Sequence, residues 1–261
     1  MNLKNVDWHE LDINVDSLWI IGPRAKGGKR SNDYHGNFAP QIPNQMIQRY
    51  TEPGDTVIDL FMGSGTTLFE AETLHRNFIG FDINQDIIDE VKSKMDPSSP
   101  IKYEINNCNV TNTVLFNQAM EKSMKMIGNK NKVDLLMVHP PYWDIIKFTD
   151  RKEDMSNISE LTEFLEKFND AMANGYKYLK KKGYFVIVCG DLYRDGEVVP
   201  LAFDLMSEVK KHLKCQLKGI VVRDMVGNRA KIGIQALWKY RALKNGTYIF
   251  KHEYIFVFRK N

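Results

Sequence analysis

Val57-Ile58-Asp59-Leu60-Phe61-Met62-Gly63-Ser64-Gly65-Thr66-Thr67 decides the fold. An apolar run of strand length enters a turn with two glycines, and Leu68, Ala71 and Leu74 then recur at helical spacing. Glycines at 63 and 65 let the backbone turn sharply and approach a ligand where a Cβ would collide. A helix that starts directly after such a turn offers unpaired N–H groups. This is the ligand crevice expected at the carboxyl end of the first strand in a doubly wound sheet. The second strand, Asn77-Phe78-Ile79-Gly80-Phe81, ends in Asp82, 23 residues beyond Asp59. An acid there is placed to accept hydrogen bonds from ribose hydroxyls. The third glycine of the dinucleotide fingerprint is absent, and so is GxxxxGK[ST]. A nucleoside ligand without a pyrophosphate is therefore the better fit.

Working outward, strands read at residues 56–61, 77–82, 102–105, 133–138, 184–189, 216–223 and 254–259, with amphipathic stretches between most of them. One helix runs from 159 to about 179 on Leu161, Phe164, Leu165, Phe168, Met172 and Leu179, with Gly183 as its stop signal after three lysines. A second, 198–213, buries Leu201, Phe203, Leu205 and Val209. No crossover helix separates the last two strands, so they form an antiparallel pair. The expected architecture is α/β: a mostly parallel, Rossmann-like seven-stranded sheet in a single domain, 1–261. Residues 1–50 form an amino-terminal extension and 224–251 a basic loop insertion.

Composition narrows the class. The chain has 261 residues, 43% hydrophobic and 26% charged, which suits a packed core and excludes a disordered chain. No apolar run approaches the roughly 18 residues of a membrane helix. The first eight residues carry interspersed polar and charged groups, not a secretory signal, so a cytoplasmic location is expected. Cys108, Cys189 and Cys215 are widely spaced and give neither a disulfide framework nor a zinc-ligand pair. The formal charge of +3 hides an asymmetry. From Lys214 to Lys251 there are nine basic residues, Arg223 among them, and one acid, so this strip carries +8 and the remainder −5.

A second site stands at the end of the fourth strand, Val138-His139-Pro140-Pro141-Tyr142-Trp143. Two successive prolines fix φ and remove backbone donors, leaving a rigid bend that exposes the Pro140 carbonyl and holds the Tyr142 ring. A fixed acceptor beside a fixed aromatic plate suits a flat heterocycle with an exocyclic amine.

Asp59 to Thr67 resembles the cofactor motif, and His139-Pro140-Pro141-Tyr142 the catalytic [DNS]PP[YFW] motif, of the S-adenosylmethionine-dependent DNA methyltransferases that modify adenine N6 or cytosine N4. The resemblance covers most of the chain. Gly36-Asn37-Phe38-Ala39-Pro40-Gln41-Ile42-Pro43 is similar to the segment that closes over the cofactor's methionine end. Phe78 to Asp82 is close to the family's second strand, and His252 to Arg259 resembles its final one. Motif order resembles the gamma type and the GSGTT wording the beta type, so the subclass stays open.

The resemblance implies a methyltransferase fold, S-adenosylmethionine as cofactor, and Asp59, Phe61, Gly63, Gly65, Thr66, Asp82, Asn109, Phe38 and Pro40 as its binding residues. It implies His139, Pro140, Pro141 and Tyr142 as catalytic residues, double-stranded DNA with the target base flipped as substrate, and no metal. The setting that the resemblance implies is restriction–modification or phage-related DNA modification. His139 replaces the usual Asp, Asn or Ser acceptor; a neutral imidazole still accepts through one ring nitrogen. That departure keeps a non-catalytic nucleic-acid-binding subunit in play; an RNA methyltransferase, or one acting on a protein amide, is a further alternative because the Pro-Pro-Tyr geometry reads a planar amide as well as a base. DNA contacts are expected from Arg24, Lys29 and Arg30 in one Gly-rich loop and from Arg229, Lys231, Trp238, Lys239 and Arg241 in the basic strip. A fold that consumes nearly the whole sequence leaves loops for target recognition, so short-site reading, a homodimer or a separate specificity subunit is expected.

Overall fold

A computed structural model describes residues 7, 9–25, 27–29, 36–129, 132–225 and 235–261. In chain order the elements are β1 (Leu18–Trp19), α1 (Gln41–Tyr50), β2 (Thr56–Asp59), α2 (Thr66–Thr73), β3 (Asn77–Asp82), α3 (Gln85–Ser93), β4 (Tyr103–Asn107), α4 (Thr113–Met126), β5 (Val133–Val138), a 3₁₀ turn (Met155–Asn157), α5 (Leu161–Tyr178), β6 (Leu179–Cys189), β7 (Leu192–Arg194), β8 (Glu197–Val199), α6 (Leu201–His212), β9 (Cys215–Asp224), α7 (Gln235–Asn245) and β10 (His252–Lys260).

Ten of these strands divide into an eight-stranded sheet, ordered β1-β9-β10-β6-β5-β2-β3-β4, and the small hairpin β7-β8. The doubly wound α/β expectation holds, with the two-residue β1 added as an eighth strand beside β9. β10 alone runs against the rest, inserted between β6 and β9 and antiparallel to both. All four residues of β2 are buried, as a strand with neighbours and helices on both sides requires. One apolar core lies under α4, α5 and α6, around Phe116, Phe164, Phe168 and Phe185; the other lies under α1, α2 and α3, around Trp19, Met46, Phe78 and Ile88.

Several expectations are corrected. Within the amino-terminal extension, Trp19, Ile42, Met46 and Ile47 are buried in the second core. The long helix ends at Tyr178 and passes straight into β6, so Gly183 is not its stop. The lysine run lies in that strand, with Lys182 at φ 62° and Lys180 paired with Asp134 at 2.5 Å. Ladder pairing steps from Leu179 to Tyr184 along β5, so these residues bulge out of register. Phe203 is not core; it is partly exposed, edge-on to Tyr254. The 224–251 insertion contains α7, whose Ala, Leu, Lys and Arg content favours helix.

Candidate active site

The cradle forms where β2 gives way to α2. Gly63 (φ 51°) and Gly65 (φ 82°) both take left-handed backbone, and a Cβ on Gly65 would lie 2.9 Å from Val91 Cγ1. Two carboxylates brace the turn. Asp59 is fully buried and accepts from the Phe61 N–H at 3.0 Å and from Thr67 Oγ1 at 2.6 Å. Asp82 accepts from the Gly63 N–H at 2.8 Å and from the Asn84 N–H at 2.9 Å. Asn84 in turn caps α3, accepting from the Asp86 and Ile87 N–H groups. Burial raises both acids to about 6, against the lowering effect of these hydrogen bonds. Thr66 is buried as the first residue of α2. Asn109, after β4, accepts from the Thr111 N–H and hydroxyl, which fixes its side chain in a local turn.

The segment before α1 joins the cradle to the second site. The Asn37 side chain accepts from Ser64 Oγ within the Gly turn. Its neighbour Phe38, buried, lies against the His139 ring with centroids 4.8 Å apart. Pro40 is buried at the start of α1. In sequence the four strands β2 to β5 separate these residues from His139; the sheet order brings them together, since β5 lies directly beside β2.

At the end of β5, His139 meets the Tyr142 ring edge-on at 5.7 Å, and Pro140 is buried beneath the bend with Pro141 partly covered. Trp143 takes φ 54°, an unfavourable conformation for a bulky residue, under the Arg194 guanidinium 4.5 Å from its ring. His139 retains some exposure, yet protein surrounds it enough that desolvation lowers its pKa to about 4, with the Arg223 and Arg24 charges pushing the same way. The imidazole is neutral at any cellular pH and so able to accept a hydrogen bond.

The acidic loop after Trp143 leans toward the cradle. Asn84 Nδ2 reaches the Phe148 carbonyl at 3.4 Å, and Arg151 Nη1 reaches the Ile83 carbonyl at 3.2 Å and Asn107 Oδ1 at 3.0 Å. Buried Asp154 gathers Thr149 and Ser156 and sets the loop's shape.

The residues expected to touch DNA are scattered. Arg24 donates to the Asn37 carbonyl at 3.1 Å, and Lys29 pairs with Glu72 at 2.6 Å, so both are engaged by the body of the protein. Lys239 and Arg241 are exposed on α7, the latter beside the part-buried Trp238 at 5.8 Å. Arg30, Arg229 and Lys231 lie outside the described residues. Arg223, counted in the basic strip, is buried and paired with Glu253 at 2.7 Å. Glu253 was missed; a carboxylate at an inward-facing position of an apolar strand was its signal. Among the described residues no group of three or more His, Cys, Asp or Glu could hold a metal ion, and no helix is long and apolar enough to cross a membrane.

Residues 2–93 match the family model described as DNA methylase, of the N6/N4 type. The chain is 31% identical to the type II methyltransferase M.MjaII of Methanocaldococcus jannaschii over 174 residues, 64% of this chain and 27% of that protein. It is 43% identical over 65 residues to M.BglI of Bacillus subtilis, 25% of this chain and 18% of the relative. The chain thus spans about a quarter or less of the length of these relatives. In solved structures the fold recurs in TrmN of Thermus thermophilus, with a TM-score of 0.51 at 16% identity over 87% of this chain and 50% of that one. It recurs also in the cyclopropane synthase MmaA2 of Mycobacterium tuberculosis, with a TM-score of 0.51 at 12% identity over 84% of this chain and 83% of that one.

Proposed function

We propose that the chain, whose residues 2–93 match the N6/N4 DNA methylase model, transfers a methyl group from S-adenosylmethionine to the exocyclic amine of a flipped DNA base, adenine N6 or cytosine N4. The observation that carries the reading is the Asn37–Phe38 bridge, which ties the Gly turn to His139 and makes one cleft of two motifs. The cradle fits the cofactor: a turn that tolerates no Cβ at Gly65, an acid at the end of β3, and no lysine of a phosphate loop. When bound there, S-adenosylmethionine supplies an electrophilic methyl on a sulfonium.

The protein's own part is positional. Asp82 has lone pairs left for ribose hydroxyls beside its bonds to Gly63 and Asn84. Tyr142 offers the plate on which a base stacks, while the Pro140 carbonyl and the neutral His139 nitrogen accept the two amine hydrogens. The amine lone pair is thereby aimed for in-line displacement, and orientation supplies most of the acceleration. A neutral His139 supports turnover over the non-catalytic reading.

Expression in a methylation-free host followed by modification-sensitive sequencing tests the proposal and reads base and site together. Unmodified host DNA, with the purified protein binding cofactor, would sink it. Exposed Lys239 and Arg241 lie on α7, and we read this helix as touching phosphates. Lys239→Ala with Arg241→Ala should lower DNA affinity about tenfold at low salt and reduce the slope of log affinity against log salt by about 2. An unchanged slope would remove α7 from the interface. Target selection is read as using a short site, a second copy or a specificity subunit, and light scattering of the DNA complex separates the first from the other two.

The two sites titrate differently. Asp82, raised to about 6, is charged above that pH, so cofactor affinity should fall as pH drops through 6 and be rescued by saturating cofactor. His139, lowered to about 4, stays neutral throughout, so saturated turnover should show no loss centred on 6.5. For stability the signs are opposite. The depressed histidine favours the fold fully above about 6.5 and loses that as pH falls toward 4. The raised acids favour the fold below about 3.8 and lose that as pH rises through 6. Turnover at saturating cofactor, measured from pH 5 to 8, separates them.

A further inference from the structure

Tyr142 does more than end a motif: its hydroxyl donates to Glu253 Oε2 at 3.2 Å, and Glu253 Oε1 accepts from Arg223 Nη1 at 2.7 Å. Both charged side chains are almost wholly buried, 8% and 5% exposed. They are direct cross-strand partners, one on β9 and one on β10. In their strands they continue the inward-facing series Val221 and Ile255, Val257, all apolar and buried. An isolated ion pair in such a position carries a desolvation penalty that apolar residues of like volume avoid, so packing alone does not explain it. Its place does. Because β10 is antiparallel to β6, its first residues lie level with Cys189, at the carboxyl end of the parallel strands, where β5 delivers His139 and Tyr142. Gly190 follows Cys189, and a Cβ there would come within 3.1 Å of Tyr142 Cε2. The ring is thus confined by Gly190 on one side, met edge-on by His139 on another, and pinned at its hydroxyl.

We infer that the Arg223–Glu253 pair positions Tyr142, with Arg223 fixing the Glu253 carboxylate and Glu253 anchoring the outer end of the ring on which the target base stacks. The inference rests on the methyltransferase reading of Tyr142. Glu253 touches neither base nor cofactor in this account; it acts through the phenol.

The decisive variant replaces the pair together, Arg223→Met with Glu253→Leu, which leaves no orphaned charge and should keep or raise thermal stability. Turnover should nevertheless fall about tenfold at unchanged cofactor affinity, as expected when a stacking plate loses its alignment. In a Tyr142→Phe background, itself about tenfold slower, the same pair of substitutions should cost nothing further. An equal additional loss in both backgrounds, or no loss in either, would overturn the inference. A readout independent of chemistry is the side-chain order of the Tyr142 ring, from relaxation of protein carrying ¹³C-labelled tyrosine. High order in the unaltered protein and lower order in the paired variant is expected; equal order would overturn it too. Should the unaltered protein prove unable to methylate DNA, the functional reading falls while the ring-order comparison still decides this one. Should the paired variant fail to fold, Tyr142→Phe in protein carrying ¹³C-labelled phenylalanine decides, since ring order unchanged by loss of the hydroxyl contradicts the pinning.

Discussion

Tyr142→Ala should abolish methyl transfer to DNA, by about a thousandfold, while cofactor affinity stays within about twofold. The size follows from two losses. Stacking of a base on an aromatic ring contributes about 1–3 kcal/mol, and a base without its plate also loses alignment of its amine, for which misplacement of about 1 Å can cost a hundredfold. The fold should survive. Glu253 keeps Arg223 as partner when the phenol is removed, so no buried charge is orphaned. Cofactor affinity should survive because the bonds that brace the cradle run from Asp59 to Phe61 and Thr67 and from Asp82 to Gly63, while the Tyr142 hydroxyl is held by Glu253. Single-turnover methylation, cofactor titration and a melting curve on the same preparation check all three. Retention of more than a tenth of the activity would remove Tyr142 as the stacking plate.

Gly65→Ala should be the most damaging single methyl addition in the cradle, weakening cofactor binding about a hundredfold and lowering the melting temperature. A non-glycine residue at φ 82° carries a backbone cost of about 1–2 kcal/mol. The added Cβ would sit 2.9 Å from Val91 Cγ1 and 3.2 Å from Phe69 Cζ. Val91 is stiff about χ1 and fully buried, so relief must come from the turn itself, at about 1–3 kcal/mol more. The turn can yield by moving Thr66 and the first N–H groups of α2, the groups expected to face the ligand. Calorimetric titration with S-adenosylmethionine measures the effect, and affinity within threefold of the unaltered protein would mean that the ligand does not lie against this turn.

Much of the cradle was legible because its constraints are local. Two glycines in a turn between an apolar strand and a helix, and an acid at the end of the next strand, demand little long-range information; in the structure Asp59 and Asp82 both hydrogen-bond to that turn, at Phe61 and Gly63. The rigid bend at Pro140-Pro141 was legible for the same reason. What escaped depends on partners distant in sequence. Lys29 looked like a phosphate contact until Glu72, 43 residues on, took it up. Arg223 looked like part of a basic strip because its neutraliser, Glu253, lies 30 residues away on the adjoining strand. The α7 helix was read as loop because Leu237, Tyr240 and Leu243 are exposed and make no buried stripe. The bulge after Leu179 escaped because three lysines and a glycine carry no periodicity, and only pairing with β5 gives them a place.

The insertion of β10 between β6 and β9 has a consequence for how the molecule comes together. Within the sheet β9 has only β1 and β10 as neighbours, so the edge carrying Arg223 cannot attach to the other strands until residues 252–260 arrive. The same event delivers Glu253 beneath Tyr142. Closing that gap draws together segments more than 60 residues apart along the chain, 184–189 and 254–259, a contact of the slow, long-range kind. A newly made chain would therefore hold its ligand cradle, built from residues 57–82, before its stacking plate is fixed. Capacity to bind would precede capacity to react, and a folding intermediate lacking β10 would occupy cofactor without modifying DNA.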